Sequence, residues 1–215
     1  MTPKTMLLAA LSTSSLALAA PATTASSQVK RGEYLVSFGG CHDCHTPKKM
    51  GPKGPELDTE RLLAGHPEQL AVTQAPALPG PWMAATVGTM TAWSGPWGIS
   101  YTANLTPDRE TGLGAWTEQN FVDTMRTGRH MGRGRPILPP MPWPNVGQQT
   151  DDDIKAIFAY LRSIPAIRND VPAPKVPDEV MNGIAASYDK LLAKMKGQAA
   201  AEAADKVNAP TVAQR

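Results

Sequence analysis

Apolar residues return at helical spacing in several stretches of this chain. The clearest is Ile154, Ile157, Phe158 and Leu161, which stand at i, i+3, i+4 and i+7 and so share one face. Thr150 suits the N-cap before it, and Asp151, Asp152 and Asp153 load its first turn with negative charge. Arg162 suits its C-terminal end and Pro165 stops it. Val29 to Phe38 predicts an earlier helix. Gly32 inside it costs about 1 kcal/mol relative to Ala; close passage of the 150–162 helix at that point would explain the glycine. A third helix is expected over Thr117 to Arg126, with Phe121 and Met125 paired at i and i+4 and Gly128 as its stop. Val180, Ile184, Tyr188, Leu191, Leu192 and Met195 draw one amphipathic helix in a tail over 178–206. A semi-rigid Pro-rich linker, 171–177, precedes that tail, and disorder is expected over 207–215.

Met6 to Ala20 follows another pattern. It is apolar or small throughout, broken by Ser12, Thr13, Ser14 and Ser15, and preceded by Lys4. With the small-x-small runs Ala17-Leu18-Ala19 and Ala20-Pro21-Ala22, residues 1–25 read as a secretory signal. The run is shorter than the roughly 20 residues a membrane span needs. Cleavage and export to a periplasm are therefore expected, with membrane contact only if the segment is retained.

Composition narrows the class. In 215 residues, 41% are hydrophobic and 19% charged, enough for a modest core. Proline, at 21 residues, has about twice its usual share, so ordered loop should be plentiful and central strands few. A net charge of +2 gives no reason to expect nucleic acid as a partner. Two cysteines cannot build a disulfide framework.

Both cysteines fall in one motif, Cys41-His42-Asp43-Cys44-His45. Two cysteines at this spacing with a histidine directly after would arise by chance in about one such chain in five thousand. Thiols three residues apart can add to the two vinyl groups of one haem, and the adjacent imidazole can then bind its iron. Rival readings are weaker. A thioredoxin-like Cys-x-x-Cys follows a buried strand, whereas Gly39-Gly40 precede this motif and Thr46-Pro47 follow it. A disulfide across two residues would be cramped. A zinc site built on Cys41, Cys44, His42 or His45 lacks a second pair, because His66 and His130 stand alone.

A distal ligand is expected near Met141, in Arg135-Pro136-Ile137-Leu138-Pro139-Pro140-Met141-Pro142-Trp143-Pro144. Five prolines make this segment stiff, which suits a weak thioether ligand that must be held in place. Met83, Met90, Met131 and His130 stay open as alternatives. Arg126, Arg129, His130, Arg133 and Arg135 form a basic run that could meet haem propionates or an acidic partner, or simply face solvent. Trp116 could donate to a propionate or only pack. Residues 74–102, with Trp82, Trp93 and Trp97, read as a long ordered loop covering a haem edge, and a docking surface is the other reading.

The order of helix, C-x-x-C-H, Pro-rich Met loop and aromatic-bearing helix resembles class I cytochrome c over roughly residues 30–165. Gly39-Gly40-Cys41-His42-Asp43-Cys44-His45-Thr46-Pro47 is similar to haem sites of bacterial cytochromes, including cytochrome subunits of periplasmic alcohol and gluconate dehydrogenases. The same holds for Thr102-Ala103-Asn104-Leu105-Thr106-Pro107-Asp108 and its continuation Thr111-Gly112-Leu113-Gly114-Ala115-Trp116-Thr117. The resemblance implies a mostly α cytochrome c domain over 28–170 with an insertion at about 74–102. It also implies one covalent haem c on Cys41 and Cys44, His45 as proximal ligand and Met141 as distal ligand. Those dehydrogenase subunits carry three C-x-x-C-H motifs, and this chain carries one. The expected function is one-electron transfer without catalysis, between redox partners such as a periplasmic dehydrogenase and a terminal oxidase. The alternatives are a dedicated dehydrogenase subunit, a monohaem peroxidase and, more remotely, a haem-free thiol oxidoreductase.

Overall fold

The computed structural model describes residues 23–208. The expected leader lies outside the described residues except for Thr23–Ala25, which open the first helix, and residues 209–215 at the tail's end also lie outside them. Helix α1 (Thr23–Phe38) runs into a one-turn helix α2 (Cys41–His45), followed by a two-stranded sheet of β1 (Lys48–Gly51) and β2 (Gly54–Leu57). Three further strands, β3 (Ala85–Thr86), β4 (Ala92–Gly95) and β5 (Gly98–Tyr101), form an antiparallel sheet in that order. Helices α3 (Glu118–Thr127), α4 (Trp143–Gly147), α5 (Asp151–Ser163) and α6 (Asp178–Asn208) complete the chain. Among the described residues, no helix is long and apolar enough to cross a membrane.

The expectation of a mostly α protein needs correction: the architecture is mixed helix and strand. The segment 74–102, expected as loop, contains all of the three-stranded sheet. None of these strands exceeds four residues, too short for alternation to stand out in the sequence. Glycine makes the tight reversals possible. Gly98 closes the β4–β5 hairpin at φ +101, and Gly54 closes β1–β2 at φ +116, both in the region that a Cβ disfavours. Pro55 is tolerated because β2, among the described strands, pairs with β1 alone, so one of its edges carries no ladder.

The core lies where α1, α3 and α5 meet. Val36, Phe121, Val122, Met125, Ile154, Ile157, Phe158 and Leu161 are buried there, with Leu63 and Leu113 from the loops. Phe121 and Phe158 pack at 5.2 Å between ring centroids. Helix α3 is closed as its sequence implies. Thr117 and Asn120 form a capping box, and Gly128 takes the left-handed C-cap. At α5, the Thr150 hydroxyl accepts the Asp153 N–H at 3.1 Å.

Gly32 is the contact point between α1 and α5. A Cβ there would run into the backbone carbonyl of Ala156 and the Cβ of Tyr160. Beside it, Arg31 donates to Asp153 at 2.8 Å, tying the two helices from outside the core. That guanidinium holds the Asp153 carboxyl below its ordinary range.

Gly32→Ala sets two effects against each other. Helix propensity favours alanine by about 1 kcal/mol. Overpacking against a backbone atom that cannot rotate away costs about 1–3 kcal/mol or more. Packing should win, so thermal unfolding followed by circular dichroism should show a lower midpoint for Gly32→Ala. A rise would mean that the crossing is slack.

Candidate functional site

The site begins with the turn between α1 and α2. Gly39 donates to the Leu35 carbonyl at 2.8 Å and Gly40 is left-handed at φ +66, so the chain leaves α1 and starts a new helical turn at once. Within α2, Cys41 and Cys44 are one turn apart and therefore on the same side. Both are free thiols and half-buried. Burial pushes both thiol pKa values up. A redox-active Cys-x-x-Cys depends on the opposite shift, toward thiolate.

His45 is buried, and its Nδ1 lies 2.8 Å from the Ala103 carbonyl. A carbonyl only accepts, so Nδ1 carries the proton and Nε2 keeps the lone pair. Burial lowers the pKa of this ring, which favours the neutral imidazole. A neutral ring with one nitrogen oriented by a backbone carbonyl is the form in which histidine binds a metal. The donor set is thus two same-side thiols and a tautomer-fixed imidazole, and it fits a covalently attached haem.

Around α2 the backbone is stapled to two loops. The Thr46 hydroxyl is fully buried and accepts the Leu63 N–H at 2.9 Å. It also shares a hydrogen bond with His42 Nδ1 at 2.9 Å. Gly65 N–H donates to the His45 carbonyl at 2.8 Å, and Leu105 N–H donates to the Leu63 carbonyl at 2.9 Å. Asn169, far along the chain, donates to the carbonyls of Ala64 and His66 at 2.7 and 2.8 Å. His66 is a buried core histidine, with Nε2 donating to the Leu70 carbonyl and Nδ1 accepting from the Thr91 hydroxyl, each at 2.9 Å.

Met141 is half-buried and packs on the same apolar cluster as Cys41. Its segment is anchored to the sheet: Ser100 donates to the Pro139 carbonyl at 2.5 Å and itself accepts from the Trp97 indole at 3.1 Å. Strand β5 and the residues after it therefore reach both parts of the site, Pro139 through Ser100 and His45 through Ala103. The other candidate ligands have different settings. Met83 is 70% exposed, Met90 occupies a left-handed turn position before β4, and Met131 is left-handed in a 3-10 turn. His130 is exposed and packs edge-on against Trp116 at 4.9 Å.

The basic run is divided in its use. Arg126 bonds the Gly147 carbonyl and, at 2.5 Å, Asp151. Arg129 pairs with Asp189 at 2.8 Å. Arg133 and Arg135 remain exposed. Among the tryptophans of 74–102, Trp82 is 70% exposed, Trp97 is buried, and the buried indole N–H of Trp93 has no partner among the described residues. Thr46, Ser100 and the Ala103 carbonyl were not foreseen as site residues. A single hydroxyl or peptide group has no sequence signature, although Ala103 stands inside the distinctive Thr102–Asp108 run.

The chain is 32% identical over 157 residues to the gluconate 2-dehydrogenase cytochrome c subunit of Pantoea cypripedii, covering 73% of this chain and 28% of that protein. The alcohol dehydrogenase (quinone) cytochrome c subunit of Gluconobacter oxydans is 27% identical over 132 residues, 61% of this chain and 20% of that one. The chain is similar to cytochrome c subunits of dehydrogenases. A nicotinate dehydrogenase subunit of Pseudomonas putida is 38% identical over 147 residues, which is 67% of this chain and 9% of that protein. This cytochrome-like chain spans less than a third of the length of each of these relatives. No protein-family model matches it.

Thr46→Val keeps the shape and removes the hydroxyl. It leaves the buried Leu63 N–H unsatisfied, which should cost about 1–3 kcal/mol. Urea unfolding checks this; an unchanged midpoint would show that Leu63 finds another acceptor.

Proposed function

We propose that this chain carries single electrons through one covalently attached, low-spin haem c. The observation that carries the reading is the buried His45 ring, oriented by the Ala103 carbonyl and adjacent to two same-side thiols. Cys41 and Cys44 would be the covalent anchors, His45 Nε2 the proximal ligand and Met141 the distal ligand. The haem would supply a reversible one-electron couple at its iron. The protein's part would be to supply both iron ligands and exclude water. The Ala103 carbonyl keeps the lone pair of His45 on Nε2 and raises its basicity. The Met141 thioether is a soft ligand that favours ferrous iron and a high potential. If His45 and Met141 both bound the iron, peroxide would find no open site, which speaks against a peroxidase. The raised thiol pKa values speak against a thiol oxidoreductase.

The unit proposed to carry this chemistry is residues 28–170, with 74–102 as an insertion, in a periplasmic protein led by the signal at 1–25. Relatives named for gluconate, alcohol, fructose and nicotinate dehydrogenases differ in substrate. What this chain would share with them is acceptance of electrons rather than substrate chemistry. Its proposed partner is accordingly the catalytic subunit of a dehydrogenase.

Protein matured with the cytochrome c attachment machinery should contain one haem per chain and a low-spin ferric spectrum with the far-red Met–iron band. Met141→Ala should abolish that band, open the iron to carbon monoxide and lower the potential. Loss of the band in Met131→Ala instead would reassign the ligand. Cys41→Ser with Cys44→Ser should leave the haem extractable by acidic acetone; haem that stays attached would refute the thioether anchors. Co-purification with a dehydrogenase subunit from the native source tests the partner.

A further inference from the structure

Helix α6 is not part of the core, yet it makes specific contacts, and these converge on one segment. Its entry is set by backbone pairing rather than by a free linker. Ile99 and Lys175 exchange both N–H···O bonds at 2.9 Å, and Lys175 Nζ reaches the Val72 carbonyl at 2.7 Å. From that fixed start, the Tyr188 hydroxyl donates to the Ile137 carbonyl at 2.6 Å. The Tyr188 ring also meets the buried Trp143 edge-on at 4.9 Å. Next to it, Asp189 pairs with Arg129 at 2.8 Å, and Arg129 is bridged through its backbone to Pro136.

We infer that α6 is a brace for the Met141 segment and that Tyr188 is the positioning residue through which it acts. Ile137 and Trp143 lie on either side of Met141, and Tyr188 touches both. Ile137 is pinned from two directions: its N–H donates to the Gly128 carbonyl at 2.7 Å, and its carbonyl accepts from Tyr188. Trp143 is held between Tyr188 and Gly128, where a Cβ would strike the indole. Between these pins stand Pro139, Pro140 and Pro142, whose φ angles are fixed by their rings. A segment so stiff moves chiefly by pivoting at its ends. Holding the ends therefore holds Met141, which is what a weakly bound thioether needs in competition with other ligands. The same contacts would make the distal position respond to anything that lifts α6.

The inference rests on Met141 being the distal ligand, so the experiment uses one readout that needs the iron and one that does not. Full-length haem-loaded protein is compared with Tyr188→Phe and Asp189→Asn. Hydrogen–deuterium exchange follows residues 136–147, and imidazole titration of the ferric form follows displacement of the far-red band. Tyr188→Phe should speed exchange in that segment and tighten imidazole binding, each by roughly three- to tenfold, the weight of one lost hydrogen bond. Asp189→Asn should act in the same direction but less, as befits an exposed ion pair. The far-red band without imidazole should be unchanged in both variants. Unchanged exchange in both variants overturns the brace, whatever the ligand. Faster exchange with unaltered imidazole affinity overturns its action on Met141. A wild-type spectrum lacking the band removes Met141 itself; that failure is told apart from the brace's own, because exchange reads the segment without the iron.

Discussion

The close approach of α1 to α5 at Gly32 is the constraint on which the rest is built. The missing Cβ lets the α1 backbone lie against the Ala156 carbonyl. This places Val36 and Ile154 in one buried layer with Phe158 and Leu161. Because α2 follows α1 after only Gly39 and Gly40, the direction of α1 also sets where Cys41, Cys44 and His45 stand. Hydrophobic burial supplies the driving force here, and the glycine decides how near the two helices can come.

A second layer of organisation is polar. The loops after the Cys-x-x-Cys-His turn contain little regular structure, so their buried peptide groups need partners from elsewhere. Thr46, Asn104, Thr106 and Asn169 provide them, bonding Leu63 N–H, the Ile167 carbonyl and the carbonyls of Ala64 and His66. Segments about a hundred residues apart are joined in this way, which is how 164–171 comes to support the loop beside His45. The Met141 segment is treated differently, through proline stiffness, the Ser100 bond to Pro139 and the contacts of α6.

The fate of the basic run shows how tertiary context assigns a role that charge alone leaves open. Arg126 and Arg129 are engaged in holding α3 to α5 and to α6. The later arginines, Arg133 and Arg135, are the exposed ones. The tail shows the same thing. Its apolar face was legible, but that it turns back toward Ile137 and Trp143 follows from the Ile99–Lys175 pairing, a long-range register with no local signal.

Local pattern was enough for α3 and α5 with their caps, for the Val29–Phe38 part of α1 and for the reason behind Gly32, because period, cap chemistry and glycine are local properties; the earlier start of α1 at Thr23 was not legible. Local pattern also determined the Cys41, Cys44 and His45 motif, since that chemistry depends on spacing along one helical turn. The two small sheets were hidden by their shortness, and proline-rich composition argued for loop instead. Folding in three dimensions was needed to show that the Ala103 carbonyl orients His45, that Cys41 and Met141 rest on one apolar cluster, and that α6 reaches both Ile137 and Trp143. Each of these joins residues far apart in the chain through a hydrogen bond or a packing contact, and such partners are chosen by the folded core rather than by neighbours in sequence.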